Sequence, residues 1–372
     1  MPKLTILDQP NKVKVIDKNN MLEACEKTAD FCRDAIKLAK KMDLPTSYKY
    51  PKIVIVAGMG GSAIGGELLK DWLHYRAAVP IDVCRDYVLP AYANKNSLVI
   101  AVSYSGETEE TLSAFIEAVK RRCMVVTVSS GGHLQTFSQT LAIPHITIPT
   151  GLPAPRAAIA YLFFPLVVLM EKLCVTKKTS EEIKETLYVL QKISEENALR
   201  ISLKNNVAKK LALEIGNTIP IVYGFRQYNA VARRLKCQFN ENSKVPSKFD
   251  VFSELNHNEV VGWEAPKNLT KAFSILFIRD PKEPPEIEQR IEVTKQIASE
   301  KVYKVLGIRA VGKQKLAKML SAMYLGDFVS IYLALLRGVD PTPTKTIVHL
   351  KREMKKKLDM TTRFEREIKK IT

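Results

Sequence analysis

The spacing of hydrophobic positions changes along this chain, and each change marks a region. Within residues 21–40, Leu22, Cys25, Ala29, Cys32, Ile36 and Ala39 recur at three- and four-residue intervals, which predicts an amphipathic helix packed on a core. From Lys52 the pattern becomes short β-branched runs separated by helical stretches: IVIVA, IDVC, SLVIAV, MVVTV and AIPHITI. Such alternation predicts a parallel sheet covered by helices. The apolar run from Ala157 to Met170 is shorter than the ~20 residues a bilayer-spanning helix needs, and Pro165 interrupts it. It predicts a buried helix.

The charged, helical stretch from Ser180 to Leu213 contains no strand-like run and reads as a bridge. A second alternating series follows. It predicts a strand at Ile219 to Tyr223, a helix at Tyr228 to Phe239, strands near Ala272 to Ile278 and Val302 to Leu306, and a long apolar helix near Leu316 to Leu336. The expected fold class is α/β: two three-layer α/β/α lobes, each with a mainly parallel sheet flanked by helices. The expected boundaries are an N-terminal helical extension over 1–48, a first lobe over 49–178, a helical bridge over 179–213, and a second lobe with a C-terminal helix over 214–372.

With 372 residues and 46% hydrophobic content, the chain can bury the cores of two such lobes. Its six cysteines form no CxxC pair, and its five histidines show no ligand spacing, so neither disulfides nor a metal is expected. The net charge of +18 is spread along the chain and mixed with Glu; only KREMKKKLDMTTRFEREIKK is locally enriched, and its spacing is that of a solvated helix. No nucleic-acid partner is expected. The general positive field favours an anionic small molecule. The N-terminal stretch lacks the apolar core of a secretory signal, so a cytoplasmic protein without a membrane span is expected.

Two loops carry candidate chemistry. AGMGGSAIGGELL sets five glycines around Ser62 directly after a predicted strand, where backbone amides and a helix N-terminus converge on an anion. The same residues fit a dinucleotide pattern through Gly58, Gly60 and Ala63, with Asp82 or Asp86 as a ribose acceptor. The second loop, SYSGETEET, offers Ser103, Ser105 and Thr108 on a Gly106 turn at the start of another helix. Ordinary helix capping explains one hydroxyl but not three, so this loop favours a phosphate cradle. A third loop, SSGGHL, repeats the theme; a turn with a cap explains it equally well.

GMGGSAIGG together with SYSGETEET resembles the sugar isomerase (SIS) module, a five-stranded parallel sheet that binds phosphosugars. LPAPRAAIAY, NENSK, ELNHNEVVGWE and DPTPTKTIVHLK follow in order. Together they resemble the bifunctional phosphoglucose/phosphomannose isomerases from residue 50 to about 355. The resemblance implies an aldose–ketose isomerase that interconverts glucose 6-phosphate and mannose 6-phosphate with fructose 6-phosphate, by ring opening and a cis-enediolate, without metal or cofactor.

It also implies roles. Glu241 is then the isomerisation base, His257 opens the ring with Lys351 beside it, and Arg156 stabilises the enediolate. Gly61, Ser62, Ser103, Ser105 and Thr108 bind the phosphate, and Thr344 is linked to acceptance of mannose 6-phosphate. The histidine of related isomerases reaches across from a neighbouring subunit, which implies a homodimer with its active site at the subunit interface. From the residues alone, Glu241 is a carboxylate in a charged loop, His257 sits in a polar loop, and Arg156 is an unusual charge at the opening of an apolar helix.

Two positions depart from the family pattern. Glu107 stands where relatives usually carry Asn, and Ala160 replaces a frequent glycine. Glu107 puts a negative charge beside the phosphate loop unless its side chain points away. The rival readings are a sugar-phosphate-sensing SIS regulator, which would need a DNA-recognition helix that the extension does not display, and another phosphosugar isomerase.

Overall fold

The computed structural model of the chain describes residues 5–371. Three helices come first: α1 (Pro10–Ile16), α2 (Met21–Glu26) and α3 (Thr28–Lys40). The first alternating series is β1 (Ile53–Ala57), α4 (Gly60–Leu73), β2 (Ile81–Cys84), β3 (Ser97–Ser103), α5 (Glu109–Lys120), β4 (Met124–Ser129), α6 (Gly132–Thr140), β5 (His145–Thr147) and α7 (Ile159–Lys172). Helices α8 (Ser180–Asn197) and α9 (Val207–Ile215) lead to the second series. It runs β6 (Ile219–Phe225), α10 (Asn229–Glu241), β7 (Lys248–Phe252), α11 (Lys267–Thr270), β8 (Phe273–Arg279), α12 (Pro285–Ser299), β9 (Lys304–Arg309) and α13 (Lys315–Leu336). Helices α14 (Lys345–Lys357) and α15 (Met360–Ile371) follow.

Both sheets are parallel, as the alternating runs predict. The first has strand order β2-β1-β3-β4-β5 and the second β7-β6-β8-β9. Strands β1 and β3 consist almost entirely of buried residues, which is why they read as continuous apolar runs rather than alternating ones. In the first sheet the chain goes from β1 to one edge and returns on the other side as β3. That reversal makes the carboxyl ends of β1 and β3 a topological switch point, where open α/β sheets bind ligands.

The strand expectations hold with two differences. Strand β7 is not predicted because Lys248 and Asp250 interrupt its apolar residues; it is an edge strand with one buried residue, Phe252. The run AIPHITI yields only His145–Thr147, since Pro144 has no N–H to give to a ladder. The apolar run after Ala157 forms α7, buried throughout Ile159–Met170 with Pro165 inside it. Helix α13 is long and apolar enough to cross a membrane, but 89% of its most apolar window is buried within the protein, as in a core helix.

Contacts divide the chain into two compact units whose limits differ from the expected boundaries. One joins Asp30–Thr179 to the segment from Thr344 onward and holds the five-stranded sheet; the other joins the residues up to Ala29 to Ser180–Pro343 and holds the four-stranded sheet. The C-terminal helix expected on the second lobe therefore belongs with the first. Met360, Phe364 and Ile368, one face of α15, are buried in the cluster that contains Leu112, Phe115 and Ile116 of α5. Helix 21–40 is also divided, with a break at Lys27. All six residues of its predicted stripe are buried, but Leu22, Cys25 and Ala29 fall in one unit and Cys32, Ile36 and Ala39 in the other.

Candidate active site

The first loop leaves β1 at the switch point and lies directly against β3. A Cβ on Gly58 would stand 2.8 Å from the Val102 carbonyl oxygen, so a side chain there would push the two loops apart. Gly60 enters α4 with φ +51°, in the left-handed region that suits glycine. Ser62 follows in the first turn and is buried. Met59 at the N-cap position makes no side-chain capping bond, and its carbonyl oxygen accepts the Ser62 and Ala63 N–H groups at 3.0 and 3.4 Å, which leaves the Gly60 and Gly61 amides at the start of α4 for an anion.

The second loop is built by its own hydroxyls. Ser103 Oγ is 2.9 Å from Thr108 Oγ1 and accepts the Gly106 N–H at 3.1 Å. Ser105 is exposed, and its Oγ accepts the Glu107 N–H at 3.2 Å. Thr108 occupies the N-cap position of α5, yet its side chain makes no capping bond. The capping explanation is therefore not realised at Thr108, whose side chain leaves the start of α5 uncapped. Ser103 is only 1% exposed, so its hydroxyl shapes the loop from within.

The third loop locks onto the second. Gly106 has φ +72°, and a Cβ there would fall 1.9 Å from the Gly131 carbonyl oxygen. Leu134 N–H donates to the Gly106 oxygen at 3.0 Å, and Ser130 Oγ donates to the Tyr104 oxygen at 2.6 Å. Glu107 reaches across as well: its carboxylate accepts the His133 N–H at 2.9 Å and lies 2.6 Å from His133 Nδ1. The negative charge that departs from the family pattern is thus turned onto the third loop. The SSGGHL motif signalled this loop, but its role is to brace the second one.

Arg156 lies in the 3-10 turn Pro155–Ala158 that precedes α7, and it is 4% exposed. A surface arginine capping a turn is excluded by that burial. A Cβ on Gly61 would sit 3.7 Å from Arg156 Cα, which places the arginine backbone against the first loop. Tyr104, a residue that sequence reasoning passed over, ties the second loop to the same segment, its OH accepting the Leu152 N–H at 3.2 Å. Gly61, Ser62 and Arg156 are thereby brought together beside the Ser103–Thr108 loop.

The other unit carries Glu241 and His257. Glu241 is the last residue of α10 and half-buried, rather than a solvated loop carboxylate. Lys244, with φ +56°, turns the chain after it; the Lys244 ammonium donates to the Glu241 carbonyl oxygen and, at 3.1 Å, to that of Pro341. His257 ends the 3-10 turn Glu254–His257 and is exposed, and none of the described residues hydrogen-bonds its ring. Its turn is anchored by Leu255, which is fully buried, and by Asn256, whose Nδ2 donates to Thr294 Oγ1 at 2.8 Å.

Lys351 and Thr344 were expected in the second lobe but belong to the unit of the first sheet. Thr344 stands at the N-cap position of α14 without a side-chain capping bond, and Lys351 is exposed on that helix. Among the described residues, no group of three or more His, Cys, Asp or Glu side chains is arranged to hold a metal ion.

Comparison with known proteins gives these elements a family. Residues 204–354 match the bacterial phospho-glucose isomerase C-terminal SIS domain. The bifunctional phosphoglucose/phosphomannose isomerase of Caldicellulosiruptor bescii is 40% identical over 335 residues, covering 90% of this chain and 98% of that protein. The protein of the same name from Aquifex aeolicus is 35% identical over 82% of this chain and 91% of its own length. Among solved structures, the C-terminal domain of glucosamine-fructose-6-phosphate aminotransferase from Francisella tularensis superposes with a TM-score of 0.65 at 17% identity, covering 87% of this chain and 98% of that one. A glucose-6-phosphate isomerase like protein from Thermus thermophilus does so at 0.59 and 20%, covering 90% and 96%. These two share the fold. With loops, fold and full-length relatives in agreement, the chain belongs to the bifunctional phosphoglucose/phosphomannose isomerase family.

Proposed function

We propose that this protein interconverts glucose 6-phosphate and mannose 6-phosphate with fructose 6-phosphate. The observation that carries the reading is the pair of uncapped loops at the switch point of the first sheet, with the buried Arg156 packed on Gly61. The loop around Gly61 and Ser62 and the loop of Ser103, Ser105 and Thr108 hold the phosphate. His257, with Lys351, moves a proton between the ring oxygen and the anomeric hydroxyl and so opens the sugar.

Glu241 then takes the proton from C2 of the open aldose. The C2–H electron pair becomes the C1–C2 double bond, and the aldehyde oxygen gains the charge of an enediolate. Arg156, a fixed charge with a planar donor fork, stabilises that charge. The O2 hydroxyl proton passes to O1, and return of the proton to C1, as the double-bond pair forms the new C1–H bond and C2–O2 becomes the carbonyl, gives the ketose. Deprotonation of the C2 epimer gives the same intermediate, so one base serves both aldoses, with Thr344 governing acceptance of the mannose form. The electrons stay within the substrate, and the reaction calls for no hydride carrier.

The protein acts as a homodimer in the cytoplasm, with His257 supplied to the neighbouring subunit. Two features support association: His257 is exposed without a ring partner among the described residues, and α14 presents Val348 and Leu350, 65% and 60% exposed, beside Lys351. The decisive experiment assays fructose 6-phosphate formation from each aldose phosphate in the presence of a chelator. Turnover of both is expected, together with a loss of about 10²- to 10⁴-fold in kcat for Glu241→Gln. Absence of turnover in the wild type overturns the reading, and binding of the sugar phosphates without turnover points to a sensor instead. Sedimentation at micromolar concentration checks the dimer; a monomer counts against it.

A further inference from the structure

Helix α10, which ends in Glu241, is fixed to α13 by a buried polar ladder that no packing requirement explains. Arg234 and Gln238 on α10 and Asn242 at its C-cap are spaced four apart on one face, and all three are buried, as is Ser243. Facing them on α13 are Asp327 and Ser330, 5% and 0% exposed. Arg234 donates to both Asp327 oxygens, from Nε at 3.1 Å and from Nη2 at 2.8 Å, and Gln238 Nε2 donates to Oδ1 at 3.0 Å. Asn242 Nδ2 donates to Ser330 Oγ at 2.8 Å, and Ser330 Oγ donates to the Asp327 carbonyl oxygen at 2.7 Å. Ser243 Oγ completes the ladder by donating to the Ser330 carbonyl oxygen at 2.6 Å.

The helices also approach too closely for any slip. A Cβ on Gly326 would fall 2.1 Å from Leu235 Cδ2, so the Leu235 side chain fits only against a bare backbone. Apolar contacts would hold two helices together without fixing their register. A buried ion pair adds little net stability over apolar packing, but directional polar bonds can select one register. One turn of slip would carry the end of α10 by about 5.4 Å. Even ~1 Å of misplacement at a reacting group can cost on the order of 10²-fold in rate.

We infer that Asp327 and Ser330 are positioning residues for Glu241, holding the base in place through Asn242, its neighbour in the chain. This rests on the reading of Glu241 as the base. The ladder includes none of the phosphate loops, so its loss is felt in kcat and not in KM. For Ser330→Ala, kcat for glucose 6-phosphate is expected to fall about 10- to 100-fold with KM within about twofold of wild type. Asn242→Ser, which withdraws the bond to Ser330 from the other helix, is the second variant should Ser330→Ala fold poorly.

A double-mutant cycle separates the two hypotheses. In a Glu241→Gln background, Ser330→Ala is expected to cause no further loss. An additive loss shows that Ser330 does not act through Glu241 and overturns the inference. So does a folded Ser330→Ala enzyme with wild-type kcat, or one in which kcat, KM and Tm decline together as in general destabilisation. Full activity in Glu241→Gln alone overturns the base assignment instead.

Discussion

The Glu107 carboxylate lies 2.6 Å from His133 Nδ1 and accepts the His133 backbone N–H at 2.9 Å, so its charge is engaged by the third loop. A carboxylate beside an anion site would ordinarily weaken binding. Because this one is turned aside, Glu107→Gln is expected to change KM for the sugar phosphate by less than about twofold, and stability by about 1 kcal/mol or less for so exposed a pair. Steady-state kinetics check this. A tenfold drop in KM would mean that the charge still opposes the phosphate.

Gly106 and Gly60 both have positive φ, but their surroundings differ. A Cβ on Gly106 meets the Gly131 oxygen at 1.9 Å, whereas one on Gly60 meets nothing within 4 Å. Gly60→Ala is expected to cost only left-handed backbone strain, about 1–2 kcal/mol. Gly106→Ala must also separate the second and third loops, so its KM should rise by more than tenfold over that of Gly60→Ala. Equal KM values for the two variants would show that the loops do not act as one braced unit.

Thr344 stands at the start of α14 with a hydroxyl not used for capping. If it governs sugar choice, Thr344→Val is expected to lower kcat/KM for mannose 6-phosphate at least fivefold more than for glucose 6-phosphate. The two reactions measured side by side check this, and an unchanged ratio removes the role.

Asp280 gives the four-stranded unit a pH dependence. Burial pushes its carboxyl up, but Lys318 Nζ at 2.7 Å, the Tyr228 hydroxyl at 2.5 Å and the Lys282 N–H at 2.8 Å outweigh burial and hold it below the usual aspartate value. A depressed carboxylate stabilises the fold at pH values above its unfolded pKa of about 3.9, and that contribution is lost as pH falls through the lower folded value. Wild-type stability should therefore decline below about pH 4. Lys318→Met, which strands a buried carboxylate, should cost about 3–5 kcal/mol at neutral pH and move acid unfolding upward in pH. Urea melts across pH 3 to 7 test both, and an unchanged acid midpoint would contradict the assignment.

Much of this was legible in the chain because the signals were local. Buried parallel strands read as apolar runs, and the glycine and hydroxyl loops lie next to the strands that position them. The features that escaped reading depend on partners distant in sequence. Strand β7 is made by pairing with β6, not by its own pattern. Met360, Phe364 and Ile368 of α15 are set among polar and charged residues, and only their burial against α5 shows where the helix belongs. Arg234, Gln238 and Asn242 are polar residues whose partners, Asp327 and Ser330, lie some ninety residues later and make their face of the helix an interior one.

The chain passes from one compact unit to the other after Ala29, after Thr179 and after Pro343. During synthesis, chains fold progressively from the N-terminal side as they emerge. The strands of the first sheet are made well before α15, so Leu112, Phe115 and Ile116 must wait for Met360, Phe364 and Ile368 before their cluster closes. A nascent chain stalled between Pro343 and Met360 would carry an open apolar surface on α5, a natural target for chaperones. The order of translation thus makes α15 the step that seals the unit of the five-stranded sheet.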